Sequence, residues 1–198
     1  MIEHVIEYTV DESVCDGLVK LYDTVEATGK ACRPGTVGND PHVNEEFKKC
    51  TDLFFNDIPK AEIEYSPEYK DMEYRTHLME CIKDYSERYL FWAPLGFHSH
   101  PKFQVYKPGE AFYEEHFDAM GSDQGRVVAW ITYLNTVKEG GGTHFLYQDY
   151  TVQPIKGKTV LFPAGYTHRH KGVTAPKETK YIVTGWFMWE DTCSKKNL

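Results

Sequence analysis

The spacing of hydrophobic positions divides the chain into a helical first half and a strand-rich second half. Apolar side chains recur at helical intervals over residues 14–25, and a second stripe within residues 67–90 consists of Tyr74, Leu78, Ile82, Tyr85 and Tyr89. Residues three or four positions apart lie on one face of a helix. The pattern therefore predicts two amphipathic helices whose apolar faces pack against a core.

The ends of the first helix carry their own signals. Thr9 and Glu12 have the spacing of a capping box, and Gly29 is a typical residue just after a helix end. The residues before this box, 1–9, have the pattern of a strand. Beyond Gly29, residues 30–44 hold Gly, Pro and Asn and predict a loop, and a short helix is expected from Asn44 to Phe55.

After Trp92 the pattern changes to short apolar and β-branched runs separated by Gly and Pro. Such runs predict strands, and the predicted strands are 102–107, 112–115, 126–134, 144–147, 151–153, 158–162 and 179–188. Helices first and strands afterwards favour an α+β fold, in which supporting N-terminal helices pack on one sheet of an antiparallel core. The length fits one domain, 1–198, with a helical support region at 1–92 and a β core at 93–190.

Charge and cysteine usage narrow the class of protein. The net charge of −8 disfavours a nucleic-acid partner, which needs a basic surface. Five cysteines, an odd number without a CxxC pair, favour reduced thiols in a reducing compartment. The N-terminus MIEHVIEYTV lacks the basic start of a signal peptide, and no apolar run is long enough for a membrane span. We expect a soluble, cytoplasmic protein with no membrane association; its oligomeric state stays open.

A His-x-Asp pair is the best candidate for a metal site. His116 and Asp118 lie two positions apart and would share a face of a strand, and the third ligand would come from His168 or His170. Two imidazoles and a carboxylate on one face of an octahedral ion are typical of non-haem Fe(II) oxygenases, although Zn and Mn accept the same set. A His-x-Asp pair alone is more often a surface pair, so its interpretation depends on the sequence that follows.

Lys180 follows His170 by ten residues and begins a strand of aromatic and β-branched residues. Burying an ammonium without an anion is costly, so a lysine buried in this strand would need a bound carboxylate as its partner. From these residues alone, a lysine that extends to solvent at a sheet edge is the favoured interpretation.

Several motifs occur in a specific order between Tyr106 and Trp186: Tyr106-Lys-Pro-Gly109 with His116-Phe-Asp118, Arg126 through Tyr133-Leu-Asn135, Gly140-Gly-Gly-Thr143-His-Phe145, Pro154 with Gly157 and Phe162, and His170-Lys-Gly172 with Lys180-Tyr and Trp186. In order and spacing this segment resembles the catalytic domain of the prolyl 4-hydroxylase-like 2-oxoglutarate/Fe(II)-dependent dioxygenases. One position departs from the family pattern, since Gly142 stands where the family has Glu.

The resemblance implies a double-stranded β-helix, or jelly-roll, core and a set of site residues. It implies His116, Asp118 and His170 as catalytic metal ligands, and Lys180, Tyr106, Tyr133 and Trp186 as residues that bind 2-oxoglutarate. For both tyrosines a core role with a satisfied hydroxyl is the alternative. The implied cofactors are Fe(II), 2-oxoglutarate and O2, with ascorbate as an accessory reductant. Arg169, Tyr113 and Tyr147 are candidates for contact with substrate.

The implied reaction is hydroxylation of a substrate C–H, with peptidyl proline at C4 as the leading substrate and succinate and CO2 as products. A proline-rich peptide or protein would dock on aromatic side chains, and the Gly-rich loops 30–44 and 136–143 are candidate lids. One alternative keeps this chemistry for a free amino acid, another small molecule or another side chain. Alternatives of another class are a non-catalytic metal-binding β-sandwich module and a Zn or Mn isomerase or hydrolase.

Overall fold

A computed structural model describes residues 2–37, 42–59, 71–91, 95–97 and 101–189. Within these ranges two α-helices precede most of the strands: α1 (Glu12–Thr28) and α2 (Asp71–Arg88). The strands are β1 (Ile6–Thr9), β2 (Arg33–Pro34), β3 (Thr51–Phe54), β4 (Leu95–Phe97), β5 (Lys102–Tyr106), β6 (Arg126–Tyr133), β7 (Thr143–Phe145), β8 (Tyr150–Val152), β9 (Lys158–Pro163), β10 (His170–Gly172) and β11 (Lys180–Trp189). Single 3-10 turns cover Phe55–Asp57, Gly121–Asp123 and Tyr166–His168.

The strands form two antiparallel sheets within the described residues. The major sheet has the order β1-β9-β6-β11-β5-β3-β2, with β4 paired to the end of β11. The minor sheet has the order β10-β7-β8. Long connections between strands that are neighbours in the sheet are typical of a jelly roll. The predicted α+β fold with a jelly-roll core is therefore confirmed.

The two faces of the major sheet bury two different apolar clusters. On one face, Val128, Trp130 and Val183 pack with the apolar stripes of α1 and α2. On the other face, Ala129, Ile131 and Tyr133 pack with Phe145 and Val152 of the minor sheet. Successive side chains of a strand point to opposite faces, so a central strand covered on both sides must be apolar almost throughout. This explains the continuous apolar run of β6 and confirms that the helices support one sheet.

The first helix begins at a residue other than the one that the sequence suggests. Asp11 is the N-cap, and its side chain accepts a hydrogen bond from the backbone N–H of Ser13 at 2.8 Å. The predicted capping box at Thr9 is wrong because Thr9 is the last residue of β1, where it pairs with Lys158. The predicted helix end is confirmed, since Gly29 is the C-cap with a left-handed φ of 66°.

The predicted short helix that ends near Phe55 is wrong. The chain there forms turns and then β3, where Leu53 pairs with Phe103 of β5. The predicted strand 112–115 is also wrong, since Phe112 makes only an isolated bridge with Lys48. In both segments, hydrogen bonding with distant residues determines the backbone conformation. The hydrophobic pattern within the segment does not reveal this pairing. Of the expected loop 30–44, residues 33–34 form β2 and residues 38–41 lie outside the described part.

Gly185 of β11 lies opposite Trp130, whose indole ring covers it. A Cβ at this position would lie 2.3 Å from Cζ2 of that ring, and Trp130 is completely buried. We expect Gly185→Ala to reduce the free energy of unfolding by about 1–3 kcal/mol, because the indole must shift in a packed core. Urea unfolding measures the change. A Cβ at Gly165 meets no atom within 4 Å, so an equal loss for Gly165→Ala would contradict this explanation.

No helix in the described ranges has both the length and the apolar character that crossing a bilayer requires.

Candidate active site

His116, Asp118 and His170 converge at one point. Each residue offers one ligand atom, and these atoms all lie within 4.8 Å of one another. Nε2 of His170 is 3.8 Å from Oδ2 of Asp118. Ligands bound about 2 Å from a single ion are at most about 4 Å apart, so small side-chain rotations bring all three to bonding distance. Among the described residues this is the one group of three or more such side chains that could hold a metal ion.

The backbone brings these residues together in a way that differs from the prediction. His116 and Asp118 do not lie on a regular strand; His116 makes an isolated antiparallel bridge with His170, with both N···O distances at 2.9 Å. The backbone N–H of Asp118 donates to the carbonyl of Ala164 at 3.0 Å. The prediction that the pair shares a strand face is wrong, and the convergence comes from contacts with the ends of β9 and β10.

Hydrogen bonds fix the orientation of both imidazole rings. Nδ1 of His116 lies 3.0 Å from the carbonyl oxygen of Glu114, and Nδ1 of His170 lies 2.9 Å from that of His168. A carbonyl only accepts, so each Nδ1 carries the proton and each Nε2 keeps its lone pair for a metal. Burial, together with the neighbouring His170, lowers the pKa of His116 to about 4, which keeps this ring neutral.

Aromatic rings hold the two imidazoles from the sides. The Phe112 ring stacks on His116 at a centroid distance of 3.7 Å and an interplanar angle of 14°. Phe145 and Phe162 contact His170 at 5.7 Å and 4.8 Å. These contacts restrict the ring positions and exclude water from one side of the site.

The donor set fits Fe(II). One carboxylate and two neutral imidazoles match the facial triad of non-haem iron enzymes. The three ligands found among the described residues leave coordination positions for other molecules, whereas a structural zinc site is closed by four.

A cavity of about 700 Å³ adjoins the triad. Its walls come mainly from β5, β6 and β11 of the major sheet and from the segment that carries His116 and Asp118. Lining residues among those described include all three triad residues and Tyr106, Thr143, Lys180, Ile182, Thr184 and Trp186. The open positions of a bound metal would therefore face enclosed space large enough for a small dicarboxylate and part of a substrate.

Lys180 is a buried cation on the wall of this cavity. It is 3% exposed, and none of the carboxylates in the described ranges forms an ion pair with it. Its Nζ lies 4.3 Å from the centre of the Tyr106 ring. Burial lowers the pKa of Lys180 to about 8. The burial does not fit a lysine that extends to solvent, and it leaves an ammonium group to which a carboxylate can bind.

The other residues expected at 2-oxoglutarate occupy different positions. Tyr106 lines the cavity, and its hydroxyl donates to Oε1 of Gln104 at 3.1 Å. Trp186 also lines the cavity, with the Arg126 guanidinium 3.6 Å from the ring centre. Tyr133 is completely buried and lies behind Thr143, to which its hydroxyl is hydrogen-bonded at 2.7 Å. Thr143 is the residue of that pair that reaches the cavity.

The three candidates for substrate contact do not line the described cavity. Arg169 donates to the carbonyl of Glu115 at 2.6 Å, and the Tyr113 hydroxyl donates to the carbonyl of Gly109 at 2.9 Å. Tyr147 is 63% exposed. Their roles in binding substrate stay predictions, because a peptide would extend beyond the cavity.

His168 and Gly142 have clear structural roles. His168 is buried, with Nε2 3.2 Å from the carbonyl oxygen of Glu3, so it points away from the triad. At Gly142 a Cβ would lie 2.4 Å from the carbonyl oxygen of Val152. The Glu of the family pattern therefore cannot occupy position 142 with this backbone, and the departure reflects the close approach of β7 and β8.

Sequence reasoning missed a charged cluster on the same cavity. Lys48, Asp52, Lys102 and Gln104 contact one another, and the two lysines and Gln104 line the cavity. No local signal identifies them, since Asp52 of β3 meets Lys102 and Gln104 of β5 only in the folded sheet.

The jelly-roll fold and the three converging ligand atoms are the arrangement found in oxygenases that use iron and 2-oxoglutarate. Residues 101–188 match the family model of the 2OG-Fe(II) oxygenase superfamily. The family implies Fe(II), 2-oxoglutarate and O2 in a reaction that oxidises a substrate. No curated protein sequence matches the chain.

Solved structures of prolyl hydroxylases share the fold over nearly the whole chain. A Pseudomonas putida prolyl-4-hydroxylase is 20% identical with a TM-score of 0.69, covering 93% of this chain and 92% of its own. The viral collagen prolyl hydroxylase of Paramecium Bursaria Chlorella virus-1 is 18% identical, with a TM-score of 0.67 and coverage of 95% and 97%. A Trichoplax adhaerens prolyl hydroxylase, solved with a hypoxia inducible factor peptide fragment, is 16% identical, with a TM-score of 0.74 and coverage of 98% and 88%. The predicted resemblance to the prolyl 4-hydroxylase fold is confirmed.

The pKa of Lys180 gives a testable pH dependence. Only the charged ammonium attracts a carboxylate, and the pKa of Lys180 without ligand is about 8. The affinity for 2-oxoglutarate should therefore be constant below pH 7 and fall as the pH rises through 8, by about tenfold between pH 7 and pH 9. Calorimetry with a redox-inert divalent metal measures the affinity. Lys180→Arg stays charged and should show a flat profile; the same fall in this variant would contradict the assignment.

Proposed function

We propose that the protein is a 2-oxoglutarate- and Fe(II)-dependent dioxygenase that hydroxylates a proline residue of a peptide at C4. In this proposal His116, Asp118 and His170 hold the iron, and Lys180 binds the distal carboxylate of 2-oxoglutarate. The observation that carries it is that the three ligand atoms and a buried ammonium, which pairs with no carboxylate among the described residues, border one cavity.

Each part of the site has a physical task in this reaction. When bound, iron, 2-oxoglutarate and O2 supply an oxidative decarboxylation that gives succinate and CO2 and transfers one oxygen atom to a substrate C–H. The carbonyls of Glu114 and His168 hold the imidazoles in the metal-binding tautomer. Tyr106 forms a wall beside Lys180, Trp186 forms a wall near Lys102, and Tyr133 fixes the Thr143 hydroxyl. The enclosed aromatic walls exclude water, which protects the oxidant from side reactions.

Proline is favoured as the target by the fold and by the walls of the cavity. The similar folds belong to proteins named as prolyl hydroxylases, one of them solved with a peptide fragment. Phe54, Phe112 and Trp186 line the cavity and suit the flat apolar faces of a proline ring. Ascorbate is expected as an accessory reductant, and proline-rich peptides are the first partners to test.

We further propose that residues 1–198 act as one domain, in which 1–92 support the catalytic core at 93–190. Strand β1 pairs with β9 and β3 pairs with β5, so the first half completes the major sheet of the second. A cytoplasmic location is part of the proposal, because the described cysteines Cys15, Cys32, Cys50 and Cys81 are all free thiols.

Incubation with peptides tests the function. Proline-containing peptides, Fe(II), ascorbate and 2-oxoglutarate should give a product heavier by one oxygen atom, with equimolar succinate, and the reaction should stop under argon. Fragmentation in the mass spectrometer assigns the modified residue, and comparison with 4-hydroxyproline standards assigns C4. Succinate formed only with free amino acids would replace the peptide substrate by a small molecule. Turnover that continues without O2 would contradict the reaction class.

A further inference from the structure

A second charged cluster lines the cavity at a distance from Lys180. We call Lys48, Asp52, Lys102 and Gln104 the lysine–aspartate cluster. Oδ2 of Asp52 lies 3.0 Å from Nζ of Lys48 and 3.3 Å from Nζ of Lys102. Oδ1 of Asp52 accepts from Nε2 of Gln104 at 3.2 Å and from the thiol of Cys50 at 3.1 Å.

The cluster has a net positive charge, because its two lysines share the single carboxylate of Asp52. Asp52 and Lys48 are each about 1% exposed, and the side chain of Lys102 is 12% exposed. Both oxygens of Asp52 already accept from Lys48, and Oδ1 also accepts from Gln104 and Cys50. Burial and the charge of Lys48 lower the pKa of Lys102, whereas Asp52 raises it. A second anion beside Lys102 would compensate this charge, as an anion does for any buried ammonium group.

The wall of the cavity that β5 and β11 form has Lys102 at one end and Lys180 at the other. Lys102 pairs with Thr184 of β11, whereas Tyr106 pairs with Lys180. Four residues along a strand span ~13 Å, so one small dicarboxylate bound at Lys180 and at the metal does not also occupy the Lys102 end.

The Lys102 end of the cavity is close to Asp118 and reaches solvent. Arg126 donates to the carbonyl of Asp118 at 3.2 Å and lies on the Trp186 ring, and Nζ of Lys102 is 5.8 Å from the centre of the same ring. On the other side, Phe54 lies between Lys102 and the half-exposed Arg33. A substrate that enters here meets Lys102 before it reaches the metal.

We propose that Lys102 binds a carboxylate of the substrate. This inference rests on the proposed function and adds a substrate class to it: the protein selects substrates with an acidic group close to the residue that is hydroxylated. A single carboxylate fits better than a phosphate group, because the cluster has one excess positive charge and Asp52 and Asp123 are close to the path. The carboxylate belongs either to an Asp or Glu side chain in a peptide or to a free amino acid.

Matched peptides and matched variants test the proposal. In one series, peptides with a central proline carry either Asp or Asn at one flanking position, and each flanking position is tested in turn. In a second comparison, free L-proline is tested against L-prolinamide. Lys102→Met removes the charge but keeps an unbranched side chain between Phe54 and Trp186, and Lys102→Arg keeps the charge. Lys177→Met removes a charge from a lysine that is 76% exposed and paired with Glu139. Binding to protein loaded with Mn(II) and 2-oxoglutarate is measured beside turnover.

The wild-type protein and Lys177→Met should prefer the acid over its amide by about 10- to 100-fold in kcat/KM or in affinity, as a charge-assisted hydrogen bond allows. In Lys102→Met the preference should fall below about threefold, and Lys102→Arg should retain most of it. The stabilisation of all four proteins by Mn(II) with 2-oxoglutarate should be equal, which excludes a loss of fold or of the 2-oxoglutarate site.

Each outcome separates this inference from the proposed function. Equal hydroxylation of acidic and neutral peptides by the wild-type protein overturns the carboxylate site and leaves the prolyl hydroxylase proposal intact. A preference for free proline over prolinamide that depends on Lys102, without reaction of any peptide, supports the carboxylate site and overturns the peptide substrate. Absence of any acid preference in both binding and turnover overturns the carboxylate site.

Discussion

Replacing His170 by Ala is expected to abolish turnover in a chain that stays folded. His170 contributes one of three ligand atoms, and its backbone, which carries the bridge to His116, is unchanged by the substitution. Removing a residue that only hydrogen-bonds to a metal ligand typically reduces metal affinity or activity by roughly 10- to 100-fold. Removing a ligand itself should therefore reduce activity by more than about 100-fold. Succinate formation at saturating 2-oxoglutarate measures the effect. His116→Ala and Asp118→Ala should behave in the same way.

His144 provides the matched control for this substitution. It lies directly before Phe145 on β7, but its Nδ1 is 3.0 Å from the Thr151 hydroxyl, and it does not line the described cavity. His144→Ala should keep most of the wild-type activity. If His170→Ala kept more than about a tenth of the activity, a facial triad that includes His170 would be excluded, since two ligands rarely hold an active divalent ion.

Replacing Lys180 by Ala is expected to raise the KM for 2-oxoglutarate by about 10- to 100-fold, because a hydrogen bond to a charged group contributes roughly 1.5–3 kcal/mol. The kcat at saturating 2-oxoglutarate should change much less, since the triad is untouched and the lost contact stabilises ground state and transition state alike. Steady-state kinetics with varied 2-oxoglutarate separate the two parameters.

A second lysine close to the site controls for a general effect of charge. Lys171 follows His170 on β10, but its ammonium pairs with Glu115 at 3.2 Å and is 39% exposed. Lys171→Ala should leave the KM for 2-oxoglutarate within about twofold, as surface ion pairs contribute little. A wild-type KM in Lys180→Ala would show that the distal carboxylate binds elsewhere.

The residues of the candidate site could be predicted from a family resemblance that short motifs carry. His116, Asp118, His170 and Lys180 were predicted from the order and spacing of those motifs, and the structure brings them to one cavity, while their roles stay predictions. The apolar stripes of α1 and α2 were also predictable, because a helix repeats its core face every three to four residues.

The parts that the sequence could not show depend on pairing between distant segments. Strand β3 has too few residues for a clear alternation, and its conformation follows from pairing with β5. The same pairing brings Asp52 to Lys102, fifty positions away, so the lysine–aspartate cluster has no local signature. Tyr133 was expected in the cavity, yet Thr143 of the minor sheet covers its hydroxyl. Sheet packing, which local patterns do not encode, decides such positions.

Metal-dependent binding of 2-oxoglutarate tests the central claim most directly. Thermal unfolding is followed for the wild type and for His170→Ala and Lys180→Ala, with Mn(II), with 2-oxoglutarate and with both. A ligand at one hundred times its dissociation constant stabilises a protein by about 2.7 kcal/mol. We predict that 2-oxoglutarate stabilises the wild type only when Mn(II) is present, and that either substitution removes this joint effect. Equal stabilisation of the wild type and His170→Ala would contradict the claim that these three side chains hold one metal ion beside Lys180.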